Sequence, residues 1–136
     1  MTKISKEIID MVNMPGRIGT IATASKQGIP NMAYFGSPQL TSDGVLTMAI
    51  ENNHTLKNLE ENPYAVFLCI AESPVSFNTP GCRLYLTVRE VQKEGAFYDA
   101  VRGALVAKAG EVAAAGVASA VSFDVTEVRA LVDRND

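Results

Sequence analysis

The chain has 136 residues, 47% of them hydrophobic and 20% charged, with a formal net charge of -3. That length fits one domain of about 100–150 residues with its own core, and the composition is that of a globular chain. Dispersed Lys and Arg in a weakly acidic total lack the basic face of a nucleic-acid binder, and no stretch stays apolar for the about 18 residues a membrane span requires. The opening segment MTKISKEIIDMVN mixes charged and apolar residues where a secretory signal carries an unbroken apolar run, which predicts a cytoplasmic protein. Cys69 and Cys82 have no CxxC or Cys/His ligand spacing, so free thiols and no structural metal are expected.

Ser5 to Asn13 reads as a short amphipathic helix, with Ser5 as its cap and Ile8, Ile9 and Val12 on one face, stopped by Pro15-Gly16. The β-branched run from Ile18 to Thr23, the turn Ser25-Lys26-Gln27-Gly28 and a return strand over Ile29 to Ser37 form a hairpin. Asp43-Gly44 is the next turn, and Val45 to Ile50 a strand. Past the polar segment Glu51 to Thr55, a helix over Leu56 to Glu61 ends at Asn62-Pro63, because proline disfavours helix in the preceding residue. Tyr64 to Ala71 is a strand, Glu72 to Gly81 a loop, Arg83 to Gln92 a strand and Gly95 to Ala109 a helix. An Ala-rich run, Ala104 to Ala120, leads into a closing strand over Ala120 to Leu131, read from the alternation of Val121, Phe123, Val125 and Val128. Six strands in sequential hairpins with helices outside point to a small antiparallel barrel.

Three blocks carry a more specific signal: IATASKQGIPNMAYFGSP, GVLTMAIENNHTLKNLEENPYAVFL, and RLYLTVREVQKEG leading into AFYDAVRG. Together they cover most of the chain and resemble the pyridoxamine 5′-phosphate oxidase-like family of FMN-binding proteins. The resemblance implies a mainly β, six-stranded antiparallel split barrel forming a homodimer, with one FMN at each subunit boundary. By position, Ala33, Tyr34, Phe35, Gly36, Ser37 and Pro38 would run beside the flavin ring and ribityl chain, Met48 and Ala49 would line the same cleft, and Asn53, His54 and Thr55 would face the phosphate. Arg83 falls where the family places a polar side chain near the flavin, reached from across the subunit boundary.

His54 and Thr55 stand where the oxidases commonly carry Arg and Lys. A protonated His54, Lys57 one turn beyond Asn53, and the N–H groups opening the helix are the substitutes at hand. The C-terminal ALVDRND lacks the Arg and His segment with which the oxidases hold pyridoxamine phosphate, so that substrate is not assigned. Each residue also has a plainer reading. Thr55 suits a helix N-cap, Met48 a core filler, and Lys57 a solvated partner for Glu61 at i+4. Tyr34 and Phe35 are adjacent in a strand, so at most one packs on the ring. Both cysteines read as inert, Arg83 being the one basic neighbour in sequence.

The chain carries no paired carboxylates, Ser/His/Asp set or phosphate-binding Gly loop. Flavin supplies redox chemistry without such groups, which suits an FMN-dependent oxidoreductase acting on a small substrate. A non-enzymatic FMN carrier or electron-transfer protein is the alternative, as is a split barrel holding haem or a deazaflavin.

Overall fold

The computed structural model describes residues 3–133, so the last three residues of the ALVDRND tail lie outside it. Helix α1 spans Lys6–Asn13, and Ser5 caps it, its Oγ accepting from the Ile8 N–H at 3.3 Å. Strands β1 (Ile18–Ala24) and β2 (Pro30–Tyr34) form the first hairpin, with Gly28 at φ +86° in the turn, a conformation that favours glycine. The return strand stops at Tyr34, short of the expected Ser37, because the carbonyls of Phe35, Gly36 and Pro38 are taken by the Arg17 side chain.

A two-residue strand β3 (Gln39–Leu40) pairs with β4 (Val45–Glu51) across the turn at Asp43-Gly44. It makes seven strands where six were expected, being too short to show any periodicity. Helix α2 (His54–Glu61) begins two residues earlier than predicted. Its cap is Asn53, whose Oδ1 accepts from the Leu56 N–H at 3.0 Å, and not Thr55, which lies inside the helix and is buried. Strands β5 (Tyr64–Ile70) and β6 (Gly81–Gln92) follow, then α3 (Ala96–Ala109). A short α4 (Glu111–Ala114), unforeseen within the Ala-rich run, precedes β7 (Val117–Ala130).

The sheet order is β2-β1-β5-β6-β7-β4-β3, and every neighbouring pair is antiparallel. The sheet does not close on itself: β2 and β3 end the order, which gives the split barrel with flanking helices. Alternation along each strand sends one set of side chains inward. Ile21, Leu46, Met48, Phe67, Leu84, Val121 and Phe123 form that core, each fully buried. α1 closes it near the start of β1 with Met11 and Val12, and α2 near its end with Leu56 and Leu59. There the buried Asn58 amide donates to Thr23 Oγ1 at 3.1 Å, satisfying two polar groups inside the packing. No helix among the described residues is long and apolar enough to cross a membrane.

Phe123 sits at 0% exposure on β7, an interior strand of the sheet. Phe123→Ala is expected to lower unfolding free energy by about 3–5 kcal/mol through lost burial and the cavity left behind. Urea denaturation checks this, and a loss below about 1 kcal/mol would show that this core is not close-packed.

Candidate functional site

The segment between β2 and β3 is shaped by one buried side chain. Arg17, 6% exposed, donates from Nε to the Val12 carbonyl at 2.8 Å and from its two amino groups to the carbonyls of Phe35 (3.1 Å), Gly36 (3.4 Å) and Pro38 (2.7 Å). Its guanidinium lies 5.2 Å from the centre of the Phe67 ring. Gly19 lets it in: a Cβ there would stand 2.6 Å from Arg17 Nη1 and 2.7 Å from Phe67 Cε1. Burial lowers the Arg17 pKa from its ordinary value, while Cys69 and Tyr34 act in the opposite direction. Ser37 completes the seam. Its hydroxyl donates to the Ala49 carbonyl at 2.9 Å and accepts from the Ala49 N–H at 3.2 Å, joining the segment to β4.

In front of this seam lies a cavity of about 660 Å³. Tyr34, Phe35, Gly36, Ser37, Ala49 and Asn53, six of the residues singled out from the sequence, line it together. Glu51 and Val117 complete one side, and Leu105, Lys108, Ala109 and Ala113 of α3 and α4 the other. Tyr34 is largely exposed while Phe35 packs against the core, so the two divide as strand neighbours must. A Cβ at Gly36 would meet nothing, so the backbone there faces open space.

The structure sets the other candidates elsewhere. Met48 is fully buried in the barrel, because on β4 it alternates with Ala49; only Ala49 reaches the cleft. Ala33 pairs with core residue Ile21 and shares its inward face. Pro38 is buried with its carbonyl held by Arg17. Thr55 is buried at 2% exposure, while His54 and Lys57 stand exposed at the start of α2. Glu61 does not serve Lys57, since its carboxylate accepts from the Lys26 N–H at 3.0 Å. Arg83 lies on β6, away from this cavity within the chain, donating to the Ala130 carbonyl at 2.7 Å and pairing with Asp133.

Sequence reasoning missed two contributors. Lys108 enters the cavity from α3, and its position in the last turn of a helix with a weak apolar stripe was the only signal. Arg17 looked like an ordinary charge after a Pro-Gly stop. Cys69 and Cys82 face each other across β5 and β6, both buried and with no disulfide between them. Their mutual hydrogen bond lowers the Cys69 pKa, burial opposes that and Arg17 assists it, whereas the same bond together with burial pushes the Cys82 thiol far up. The basic group beside the pair is thus Arg17, and not Arg83.

Open antiparallel sheet and flanking helices define a split barrel, and comparison with known proteins agrees. The family model for pyridoxamine 5′-phosphate oxidase matches residues 5–132, and the chain belongs to that family. An FMN-binding protein from Syntrophomonas wolfei superposes with a TM-score of 0.82 at 16% identity, over 96% of this chain and 87% of the other. The haem storage protein HutZ from Vibrio cholerae gives 0.71 at 16% identity over 95% of each chain. An F420 reductase gives 0.65 at 13% identity, over 92% of this chain and 98% of the other. At these identities the likeness is one of fold. No curated protein matches the chain by sequence.

Removing Arg17 would strand three carbonyls of the 35–38 segment and that of Val12. Arg17→Met is expected to cost about 3 kcal/mol or more, and Arg17→Lys to recover only part, since a point charge cannot replace the planar fork. Amide hydrogen exchange over residues 35–40 should accelerate more than at Phe123. Uniform acceleration, or full recovery by lysine, would contradict the stapling role.

Proposed function

We propose that this protein is an FMN-binding flavoprotein whose cofactor occupies the cavity of about 660 Å³, at the boundary of a homodimer, and that it acts as an oxidoreductase on a small substrate. One observation carries the reading: residues chosen from two separate sequence blocks, Tyr34–Ser37 in one and Ala49 and Asn53 in the other, converge on one cavity in a chain of this family. Flavin, when bound, supplies the hydride and electron chemistry, and the protein has to hold it and set its surroundings.

The residues present suit that role. Arg17 ties back the carbonyls of the 35–38 segment and so stiffens the wall beside Gly36. Asn53 is spent on capping α2, and the exposed His54 at the first helical position is the side chain next to the N–H groups that would meet a phosphate. Lys57 follows one turn along, and Lys108 supplies positive charge from the opposite side. The side chain of Thr55 is withdrawn from this set by burial. Its loss, and the lack of any Arg in the cavity lining, favour a second reading in which the ligand is haem or a deazaflavin.

A dimer is supported by the outer face of the sheet. Met32, Ala22, Val66 and Tyr85 form one register row across β2, β1, β5 and β6, and Tyr34, Thr20, Leu68 and Arg83 form another. Met32, Tyr34 and Tyr64 are each about 65% exposed, an apolar area a monomer rarely leaves open. Arg83 shares this face, so association through it would bring Arg83 to the subunit boundary. A cytoplasmic setting belongs to the same proposal, a compartment in which thiols such as Cys69 and Cys82 stay reduced.

Titration with FMN, read by flavin fluorescence quenching, is expected to saturate in the micromolar range or below. His54→Ala with Lys57→Ala should weaken binding about tenfold, the scale of one lost charge-assisted hydrogen bond. Failure to quench, with haem or F420 binding instead, would transfer the reading to that ligand. Turnover of NADH or NADPH by the loaded protein separates enzyme from carrier. Met32→Glu with Tyr64→Glu is expected to yield monomers in sedimentation and to weaken FMN binding; monomeric protein with undiminished affinity would overturn the shared site.

A further inference from the structure

A second cavity, of about 360 Å³, lies between α3 and the outer face of β3 and β4. It shares Ser37, Ala49, Leu105 and Lys108 with the first cavity, so the two spaces meet at the Ser37–Ala49 seam. Its roof is a helical stripe, Phe97, Val101 and Leu105 at i, i+4 and i+8. Its floor includes Thr47 and Ala49, the outward residues of β4, whose inward neighbours Leu46, Met48 and Ile50 fill the core.

α3 is anchored by Tyr98, whose hydroxyl donates to the Val117 carbonyl at 2.9 Å. Yet across its 14 residues not one side chain is fully buried, although the stripe faces the sheet. Alanines 100 and 104, where larger side chains would fill the gap, leave space beneath the helix. The volume falls in the lower range of small-molecule sites. Lys108 is the one charged residue lining it, with no ion-pair partner among the described residues and no carboxylate in the same lining. Gln39 adds a side-chain amide.

We propose that this cavity is a ligand pocket for a small carboxylic acid with an aromatic or branched aliphatic body: the body lies under α3 and the carboxylate meets Lys108. An ammonium beside apolar walls, lacking an anion of its own, selects a carboxylate over an isosteric neutral group through a charge-assisted hydrogen bond. A second copy of the chain is the competing occupant, since the adjoining cavity is the one proposed at the subunit boundary; a lone ammonium in a space of about 360 Å³ fits a small anion better. The pocket's place on the substrate side of a flavin rests on the function proposed above; its capacity to bind the acid does not.

The test follows benzoate, benzamide and benzyl alcohol by NMR titration of the full-length protein, with and without FMN, alongside separate FMN titrations. Benzoate is expected to bind at least about tenfold more tightly than benzamide. Ala104→Trp, which fills the pocket from an exposed helix position, should abolish benzoate binding and leave FMN affinity within about twofold, with Ala100→Leu as a milder filler if the first variant misfolds. Lys108→Gln should erase the preference for benzoate over benzamide. Benzamide binding equal to benzoate, or benzoate binding undisturbed by either filler, would overturn the proposal. So would an equal loss of FMN affinity in the fillers, which would make this space part of the flavin cavity, or a changed sedimentation coefficient, which would assign it to a second copy. If FMN does not bind but benzoate still obeys these variants, the flavin reading fails and the acid pocket stands.

Discussion

The buried guanidinium of Arg17 is the constraint on which the site depends. Where β2 ends, the chain must cross from one edge of the split sheet to the other, and its carbonyls lose their strand partners. A buried carbonyl without a partner is costly, and a planar fork with several donors meets carbonyls at successive positions as a lysine cannot. Reaching back to Val12 with the same group ties the end of α1 to the crossing. Gly19 and Phe67 provide the slot, so the shape of the cleft is fixed from within the core and not by contacts among its exposed residues.

That arrangement lets each strand serve two surfaces. On β4, Leu46, Met48 and Ile50 pack the interior while Thr47 and Ala49 are presented to the cavities. On β2, Ala33 turns inward while Met32 and Tyr34 face out, toward the proposed subunit boundary. The helices after β6 add a wall anchored through Tyr98: α3 covers the outer side of β4 and β7 without filling the space beneath it. The core lies on one face of these strands, and the proposed cofactor cleft and interface on the other, set apart by the period of two.

Most of the architecture was legible because it rests on local rules. The Ser5 cap, the Gly28 turn, the break at Asn62-Pro63 and the alternation in β7 each announce themselves over a few residues. β3 escaped because two residues carry no period, and α4 because an alanine run suits helix throughout. Of the residues the family resemblance named, Tyr34 to Ser37, Ala49 and Asn53 line the cavity while Met48 and Thr55 are buried, because resemblance does not tell which of two adjacent residues turns inward. Arg17 and Lys108 were hidden for another reason. Arg17 bonds carbonyls up to 21 residues away, and the cavities that Lys108 lines exist only once α3 has packed against β4.

The central claim is that one cleft, built on the Arg17 seam and opening toward the start of α2, holds the flavin. A crystal structure of the protein grown with FMN tests it most directly. The account predicts density for the ring system against Tyr34–Ser37 and Ala49, with the phosphate beside His54 at the first turn of α2. Flavin bound elsewhere on the chain, or its phosphate directed away from α2, would contradict it.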